Sequence, residues 1–283
     1  MPDGSPSDLR LDAAMGERGL ARSRTHAARL IADGLVSVNG TAQLKPSFRV
    51  RADHNITVEG ADHYVSRGAH KLIAALDAFE IDPRGRIALD AGASTGGFTQ
   101  VLLERGASRV LAIDVGHGQL ASEIQENAAV TSYEGFNIRD LTREWVGAQL
   151  RFPEVSAART PEPAAKPTLP TLVVADLSFI SLGMVLEPLR DSVDPIADFV
   201  LLVKPQFEVG KGGIREGIVR DGGLRQDAVS GVLWAAWDLG MGTAGVIPSP
   251  IAGTGGNREY LIWLTAAVGK NPTEWIDVVR ALQ

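Results

Sequence analysis

The sequence predicts an α/β fold with a mostly parallel, seven-stranded sheet that contains one reversed strand, preceded by a small α+β domain. Three observations support this prediction. From residue 86 onward, short apolar runs alternate with segments whose apolar residues recur at helical spacing. The last two apolar runs have no helical segment between them, so they are expected to pair as an antiparallel hairpin. Ahead of this region, two short helical patterns and an Asn-Gly turn indicate a separate α+β unit.

Composition limits the class of protein. The 283 residues suffice for one large and one small domain, and a hydrophobic fraction of 45% is typical of a soluble globular protein. The lack of cysteine excludes zinc fingers, iron–sulfur clusters and cysteine nucleophiles. No apolar run approaches the ~20 residues of a membrane span and no signal peptide is evident, so the sequence predicts a cytoplasmic protein without a membrane partner. The net charge of −6 argues against a uniformly basic nucleic-acid-binding protein but allows a local basic patch.

The front of the chain reads as a polar, flexible tail over residues 1–8, followed by a compact unit over residues 9–58. Ser23 is predicted to cap the second helix, and Asn39-Gly40 is the preferred dipeptide of a type I′ hairpin turn. The predicted elements are, in order, helix 9–15, helix 24–32, strands 36–38 and 41–44, and strand 55–58.

This unit contains a cluster of arginines. Residues 10–29 contain only two acids but five arginines: Arg10, Arg18, Arg22, Arg24 and Arg29. Arg22 and Arg24 flank the predicted helix start at Ser23, where backbone N–H groups also favour phosphate. The alternative interpretation is an ordinary solvated helix face.

The pattern R-L-D-x₁₀-S-R…V-x-V-N-G over residues 9–58 resembles the S4 RNA-binding domain. The resemblance implies that the unit binds structured RNA through phosphates, by shape and charge rather than by reading bases. The implied RNA-binding residues are Arg10, Arg22, Ser23, Arg24 and Arg29.

A linker over residues 59–65 is predicted to lead into a larger domain over residues 66–283. Ser66 is predicted to cap its first helix, in which Lys71 lies beside the apolar face and is interpreted as a surface lysine. Strands are then predicted at 86–90, 109–114, 129–134, 171–176, 198–204, 243–248 and 259–265, with helices at 97–105, 118–126, 141–150, 181–191 and 223–239. Residues 151–170 carry five prolines and are predicted to form a flexible loop.

The segment Asp90-Ala-Gly-Ala-Ser-Thr-Gly-Gly-Phe-Thr99 joins a predicted strand to a helix, which is the context of a nucleotide-binding loop. Its glycines allow close backbone approach to a ligand, but their spacing differs from the phosphate-binding G-x-G-x-x-G pattern. Asp90 would repel a pyrophosphate and suits the amino group of a methionine-type ligand. Asp114, after the next strand, can accept hydrogen bonds from both hydroxyls of a ribose. The pattern therefore favours S-adenosylmethionine over NAD or ATP, with a ligand-free glycine turn as the alternative.

Charged residues end two later strands, at the sheet edge where such folds bind ligands. Asp176 follows one apolar strand, and Lys204 ends the next. Because a lysine is costly to bury alone, Asp176 is its expected partner, with a purely structural ion pair as the alternative. Glu259 enters the last strand and by itself is interpreted as an exposed acid.

Lys71, Asp176, Lys204 and Glu259 together resemble the Lys-Asp-Lys-Glu tetrad of FtsJ-like 2′-O-ribose methyltransferases. The segments S-R-G-A-H-K-L, D-A-G-A-S-T-G-G-F-T, D-V-G-H-G-Q-L, V-V-A-D-L-S-F-I-S-L, L-V-K-P-Q-F-E-V-G-K and G-N-R-E-Y strengthen the likeness. With the S4-like front, the chain is similar to the TlyA (hemolysin A-like) family over nearly its whole length. The resemblance implies a class I, Rossmann-like methyltransferase that 2′-O-methylates cytidines in ribosomal RNA of one or both subunits, without a metal.

The same resemblance implies the residues that bind S-adenosylmethionine, including a segment at Phe136 that contacts the adenine. They are Asp90, Gly92, Ala93, Ser94, Gly96, Gly97, Phe98, Asp114, Asn137, Ile138 and Asp176. The chain departs from the family in two places, the long 151–170 stretch and the variable pair Ala69-His70, neither of which includes a tetrad residue.

Three other functions are open at this point. Asp176-Leu-Ser-Phe179 resembles the loop with which base N-methyltransferases bind a flipped base, although that reading leaves Lys71 and Lys204 without roles. A ribosome-assembly factor that binds RNA through an inactive methyltransferase fold is a second alternative. A membrane-lytic activity, suggested by the family name, is the third, but the sequence has no obvious amphipathic membrane helix.

Overall fold

The computed structural model describes residues 8–21, 23–32, 34–58, 63–150 and 169–282. The chain divides into two compact units, Met1–Tyr64 and Val65–Gln283. Each unit has its own apolar core. Arg22, together with residues 1–7, 59–62 and 151–168 of the predicted tail, linker and loop, lies outside the described residues.

The first unit packs two helices on short antiparallel strands. Its elements are β1 (Leu9–Arg10), α1 (Leu11–Glu17), α2 (Arg24–Ala32), β2 (Val36–Val38), β3 (Thr41–Ala42), β4 (Arg49–Val50) and β5 (Ile56–Val58). Strand β2 lies between β3 and β5, and β1 pairs with β4. Leu11, Met15 and Ile31 are fully buried in its core.

The hairpin and the helix cap predicted in this unit are confirmed. Asn39 and Gly40 both have positive φ, as a type I′ turn requires, and the Ser23 hydroxyl accepts a hydrogen bond from the His26 N–H. The prediction of a helix from residue 9 is wrong, because Leu9–Arg10 pairs with β4 and the helix begins at Leu11. Strand β4 was not predicted, and β3 is shorter than predicted.

The second unit is built on a seven-stranded sheet. Its strands are β6 (Ile87–Ala91), β7 (Arg109–Ile113), β8 (Val130–Tyr133), β9 (Leu172–Ala175), β10 (Asp198–Val203), β11 (Gly242–Pro248) and β12 (Tyr260–Thr265), in the order β11-β12-β10-β9-β6-β7-β8. Strand β12 is antiparallel to both of its neighbours, and the other pairs are parallel. The predicted parallel sheet with one reversed strand is confirmed.

Helices cover this sheet because its central strands are apolar on both faces. They are α3 (Ala69–Ala78), α4 (Gly97–Glu104), α5 (Ser122–Gln125), α6 (Arg143–Gln149), α7 (Leu186–Asp191), α8 (Pro205–Glu208), α9 (Gly222–Asp238) and α10 (Ile276–Ala281). Among the described residues, no helix is long and apolar enough to cross a membrane.

Local hydrogen bonds explain why two helices differ from their predicted bounds. Helix α5 is much shorter than the predicted 118–126, because the Glu134 carboxylate accepts the N–H groups of Gly118 and Gln119. These backbone bonds lower the pKa of Glu134. Ser66 does not cap α3, because its hydroxyl accepts the Gly68 N–H and the helix begins at Ala69, two residues later than predicted. The predicted helix 181–191 is a 3₁₀ turn followed by α7, and helices α8 and α10 were not predicted.

Candidate active site

Four charged residues meet at the edge of the sheet where the parallel strands end. Asp176 directly follows β9, and Lys204 directly follows β10. Glu259 precedes the reversed strand β12, whose first residue pairs with the last residue of β10. Lys71 lies in the first turn of α3. The strand directions therefore bring together residues that are far apart in sequence.

The four side chains form a continuous chain of ion pairs, here called the tetrad. Lys204 Nζ lies 2.6 Å from Asp176 Oδ1, and Lys71 Nζ lies 3.6 Å from Asp176 Oδ2. Lys71 Nζ also donates to Glu259 Oε2 at 2.7 Å. Lys204 donates a further hydrogen bond to the Ser178 hydroxyl at 2.8 Å. Asp176 is thus shared between the two lysines.

Burial makes these pairs energetically significant. Lys71, Lys204 and Glu259 are only 7%, 8% and 3% exposed, while the Asp176 side chain is 22% exposed. Charges at such depth are tolerated only when each has a partner, and the two lysines and two carboxylates balance. The more accessible Asp176–Lys204 pair lies nearer solvent, and the Lys71–Glu259 pair lies beneath it.

This arrangement corrects two interpretations of the sequence. Lys71 is not a surface lysine, because the tetrad buries it. Glu259 is not an exposed acid, and its buried carboxylate pairs with Lys71 rather than with Lys204. The expected pairing of Lys204 with Asp176 is confirmed.

A cavity of about 580 Å³ opens beside Asp176. Six residues predicted to bind the cofactor lie in its wall: Gly92, Ser94, Asp114, Asn137, Ile138 and Asp176. Phe136 also lines it and stacks on Trp145 with ring centroids 4.2 Å apart. The cavity wall therefore combines aromatic and aliphatic side chains with two carboxylates and the guanidinium of Arg139.

Asp114 is held in place by the backbone. One carboxylate oxygen accepts the Ser94 N–H at 2.7 Å, and the other accepts the Gly116 N–H at 2.7 Å. Ser94 adopts a left-handed conformation that aims its N–H at this carboxylate. Each oxygen keeps a second lone pair, so Asp114 retains the capacity to accept hydrogen bonds from a ligand.

Comparison with known proteins agrees with this geometry. The family model for FtsJ-like methyltransferases matches residues 64–266, and the S4 domain matches residues 9–56. The chain is 46% identical to the Mycobacterium tuberculosis 16S/23S rRNA (cytidine-2′-O)-methyltransferase TlyA, over 90% of this chain and 89% of that protein. The chain belongs to the TlyA family of FtsJ-like methyltransferases.

Two other relatives carry a different name. Hemolysin A of Brachyspira hyodysenteriae is 34% identical, over 89% of this chain and 98% of that protein. A solved structure from Streptococcus thermophilus, described as a candidate hemolysin, matches this chain with a TM-score of 0.71 and 34% identity. The match covers 97% of this chain and 95% of that protein's chain. The predicted membership of the TlyA family is confirmed.

The other predicted cofactor residues of this TlyA-family chain shape the glycine loop and lie outside the cavity wall formed by the described residues. Gly96 has a left-handed backbone conformation that favours glycine, and a side chain at Gly97 would collide with the Ser66 hydroxyl. Ala93 and Phe98 are buried behind the loop. Their contact with a cofactor stays a prediction.

Asp90 is fully buried, with one carboxylate oxygen bound by the Thr99 hydroxyl at 2.6 Å. The other oxygen has no partner among the described residues. Burial raises the pKa of Asp90 to about 7, and the nearby carboxylates of Asp176 and Asp114 add to the rise. Its predicted role toward an amino group also stays a prediction.

The raised pKa of Asp90 predicts a pH-dependent stability. An unfolded aspartate has a pKa of 3.8, so the folded protein binds one more proton between pH ~4 and ~7. The Asp90 contribution to the free energy of unfolding is therefore full below this window and is lost as the pH rises through about 7. Urea unfolding should show Asp90→Asn gaining stability relative to the parent from pH 5 to 7.5. A constant difference between the two proteins would contradict the assignment.

The arginines of the S4 unit are organised by a carboxylate that the sequence did not single out. Arg10 donates two hydrogen bonds of 3.0 Å to Asp12, and Arg24 lies 3.4 Å from the same carboxylate. The Arg10 hydrogen bonds lower the pKa of Asp12. Arg24 stays largely exposed, and Arg18 is used to bind the carbonyls of Arg51 and His54. Arg22 and the side chain of Arg29 lie outside the part of the chain that the structure describes.

Two further residues near the tetrad were also missed, although both lie in motifs typical of the family. Ser178 accepts a hydrogen bond from Lys204. Glu208 accepts the Ser181 hydroxyl at 2.6 Å and the Leu182 N–H at 2.9 Å, which ties the loop after β9 to α8. Burial raises the pKa of Glu208. Phe179, which directly follows Ser178, is 91% exposed at the cavity wall and has a left-handed backbone conformation.

Proposed function

We propose that this protein transfers a methyl group from S-adenosylmethionine to the 2′-hydroxyl of cytidine in ribosomal RNA. The observation that carries the proposal is the tetrad, in which Lys204 and Asp176 lie beside a cavity suited to the cofactor. The matches to the FtsJ-like and S4 families, and the named activity of the Mycobacterium tuberculosis relative, support it.

The side chains of the cavity wall support S-adenosylmethionine as the ligand. Its carboxylates, Asp114 and Asp176, suit a cation with ribose hydroxyls and would repel a pyrophosphate. At Gly92 the positive φ would strain a residue with a side chain, whose Cβ would also lie tightly against Asp176 and Leu177. Phe136 and Ile138 would hold the adenine, Asp114 the ribose and the Gly92 loop the methionine end. When bound, the cofactor supplies an electrophilic methyl group on a sulfonium.

The tetrad supplies what a ribose hydroxyl lacks. This hydroxyl is a weak nucleophile and a very weak acid, so its oxygen must be aligned and its developing negative charge stabilised. Lys204 would direct its ammonium at that oxygen, because Asp176 and Ser178 fix its Nζ from two sides. Lys71 and Glu259 would keep Asp176 oriented from beneath. No metal and no covalent enzyme intermediate is needed for this reaction.

The S4 unit would bind the RNA by its phosphates. Arg10 and Arg24 share the Asp12 carboxylate, which holds two guanidinium groups side by side on the surface. Such a pair matches phosphate oxygens in geometry and charge. Arg22, Ser23 and Arg29 are proposed to extend this surface, and ribosomal RNA or a ribosomal subunit is the proposed partner.

The base N-methyltransferase reading is weaker. In that class, the loop Asp176-Leu-Ser-Phe179 would offer its polar groups to a flipped base. Here the Asp176 carboxylate and the Ser178 hydroxyl are both engaged by Lys204. The exposed ring of Phe179 could still stack on a base, but a 2′-O-methyltransferase can use the same ring to stack the target nucleotide.

The function is tested by mapping 2′-O-methyl groups in ribosomal RNA from cells with and without this protein. We expect one or more cytidines to lose the 2′-O-methyl group when the protein is removed, and the purified protein with S-adenosylmethionine to restore it. A methyl group on the base of the affected nucleotide would instead support the N-methyltransferase reading. An unchanged methylation pattern would count against both.

Replacing Asp114 with alanine tests the cofactor site. Losing an acceptor for both ribose hydroxyls is expected to weaken S-adenosylmethionine binding by about 2–3 kcal/mol, or roughly 30- to 150-fold. Calorimetry on the parent, Asp114→Ala and the exposed control Asp140→Ala measures this directly. Equal affinity in all three would remove Asp114 from the site.

Replacing Arg22 and Arg24 with alanine separates docking from chemistry. RNA binding should weaken, and the slope of log affinity against log salt should fall by roughly one unit per lost phosphate contact. Cofactor affinity should stay at the parent value. If instead cofactor binding fell and RNA binding did not change, the proposed roles of the two units would be wrong.

A further inference from the structure

A second cavity lies on the α9 side of the methyltransferase unit. It has a volume of about 550 Å³ and is bordered by the start of α9 and residues 218–220. Three arginines line it, Arg220, Arg225 and Arg258, and this set is called the arginine cavity below. Among the described residues that form its wall, none is acidic. Since the whole chain carries a net charge of −6, this local excess of positive charge is not a consequence of composition.

The wall of the arginine cavity is rigidly held. Arg225 donates to the carbonyls of Val219 and Arg220 and to the Tyr260 hydroxyl. Buried Asn257 donates to the Gly217 carbonyl at 2.8 Å and accepts the Val219 N–H at 3.2 Å. Arg225 and Asn257 therefore serve to shape the cavity rather than to bind a ligand.

The other two arginines are available to a ligand. Arg258 is exposed. Among the residues that the structure describes, the one ion pair of Arg220 is with Glu216, at 3.3 Å, and both side chains are mostly in solvent. An exposed pair of this kind contributes little stability, so an incoming anion can displace it. Two accessible guanidinium groups at one cavity are suited to bind an oxyanion through paired hydrogen bonds.

The arginine cavity is adjacent to the tetrad along the chain. Arg258 directly precedes Glu259, and consecutive Cα atoms are about 3.8 Å apart. In this extended stretch Glu259 is buried against Lys71 while Arg258 stays exposed, so the two side chains point to opposite sides. The cavity thus lies at the same edge of the sheet as the proposed site of methyl transfer.

We infer that the arginine cavity binds backbone phosphates of the RNA next to the nucleotide being methylated. The inference rests on the proposed function, and it adds an RNA contact in the methyltransferase unit to those of the S4 unit. A polynucleotide is the ligand that fits, because the phosphates repeated along its backbone allow one anion to bind at the cavity while a ribose of the same strand reaches Lys204. Arg220 and Arg258 bind the phosphate, and Arg225 positions the loop that carries Arg220.

The test compares two double variants of the full chain. Arg220→Gln with Arg258→Gln removes both accessible cations of the cavity. Arg84→Gln with Lys270→Gln removes two exposed cations near the amino ends of β6 and β11, at the opposite edge of the sheet, and has the same net charge. The probe is a fluorescein-labelled RNA hairpin, with binding measured by anisotropy over a range of salt concentrations. Thermal unfolding and calorimetry with S-adenosylmethionine verify that fold and cofactor site are intact.

For the cavity variant, the slope of log RNA affinity against log salt concentration should fall by about one to two units, as expected for the loss of one or two phosphate contacts. The control variant should keep nearly the parent slope. Equal slopes in the two variants would overturn the inference.

The inference and the proposed function can fail separately. Methyl transfer by the parent to ribosomal subunits from cells that lack the protein reports on the function alone. If the parent transfers methyl groups and the two variants bind RNA alike, only the arginine cavity assignment is wrong. If the parent transfers none while the cavity variant still loses its salt slope, the RNA contact stands and the proposed reaction does not.

Discussion

Replacing Lys204 with alanine is expected to slow methyl transfer by about 10²–10³-fold, the effect of deleting one preorganised group that stabilises a developing negative charge. Lys204 is 8% exposed and 2.6 Å from Asp176, so its ammonium is fixed before the substrate arrives. Because the group is assigned to the transition state, kcat should fall while affinities for S-adenosylmethionine and RNA change little.

The matched control for this variant is Lys270→Ala, which removes an exposed lysine that pairs only weakly with Glu274. Stability must be measured alongside, since Asp176 loses its 2.6 Å contact with Lys204 and retains the 3.6 Å contact with Lys71. The product decides the reaction class. Alkali-resistant linkages at the modified nucleotide mean ribose methylation. A methylated base with a free 2′-hydroxyl, made at an undiminished rate by Lys204→Ala, would refute the assignment of Lys204.

Replacing Glu259 with glutamine is expected to lower the free energy of unfolding by about 3 kcal/mol, because it leaves Lys71 as a buried charge without its 2.7 Å partner. Lys71→Met should cost a comparable amount, because the buried Glu259 carboxylate loses its cation. The double variant should recover much of the loss, since neither buried charge is then present. Urea unfolding of the four proteins gives the coupling energy between the two residues.

Methyltransferase activity distinguishes a catalytic role of the Lys71–Glu259 pair from a purely structural one. The double variant should stay as inactive as either single variant, because stability is restored without the group that orients Asp176. Additive stability losses in the double variant would show that the two side chains do not act as a pair. A stable and fully active double variant would remove Lys71 and Glu259 from the catalytic machinery.

Part of the candidate active site can be predicted from the sequence, because parallel strands end at a common edge of the sheet. Asp176 and Lys204 follow two apolar runs, and once alternating strands and helices are recognised, the two residues must lie near each other. The glycine segment after Asp90 is readable for the same reason. Glu259 and Lys71 are less visible, since a strand acid and a helical lysine are ordinary surface residues unless a resemblance to the family singles them out.

By itself, the sequence determined the α/β class, the reversed last strand, the hairpin at Asn39-Gly40 and the pairing of Lys204 with Asp176. Each of these depends on residues close in sequence or on the direction of neighbouring strands. Only the tertiary structure decided that Lys71 is buried. The sequence could not predict this, because its partner Glu259 lies 188 residues away. It also decided that Leu9–Arg10 is a strand and that α5 is short, since both depend on hydrogen bonds to distant residues. Local spacing carries no information about such partners, and burial of a charge is set by the partner it meets.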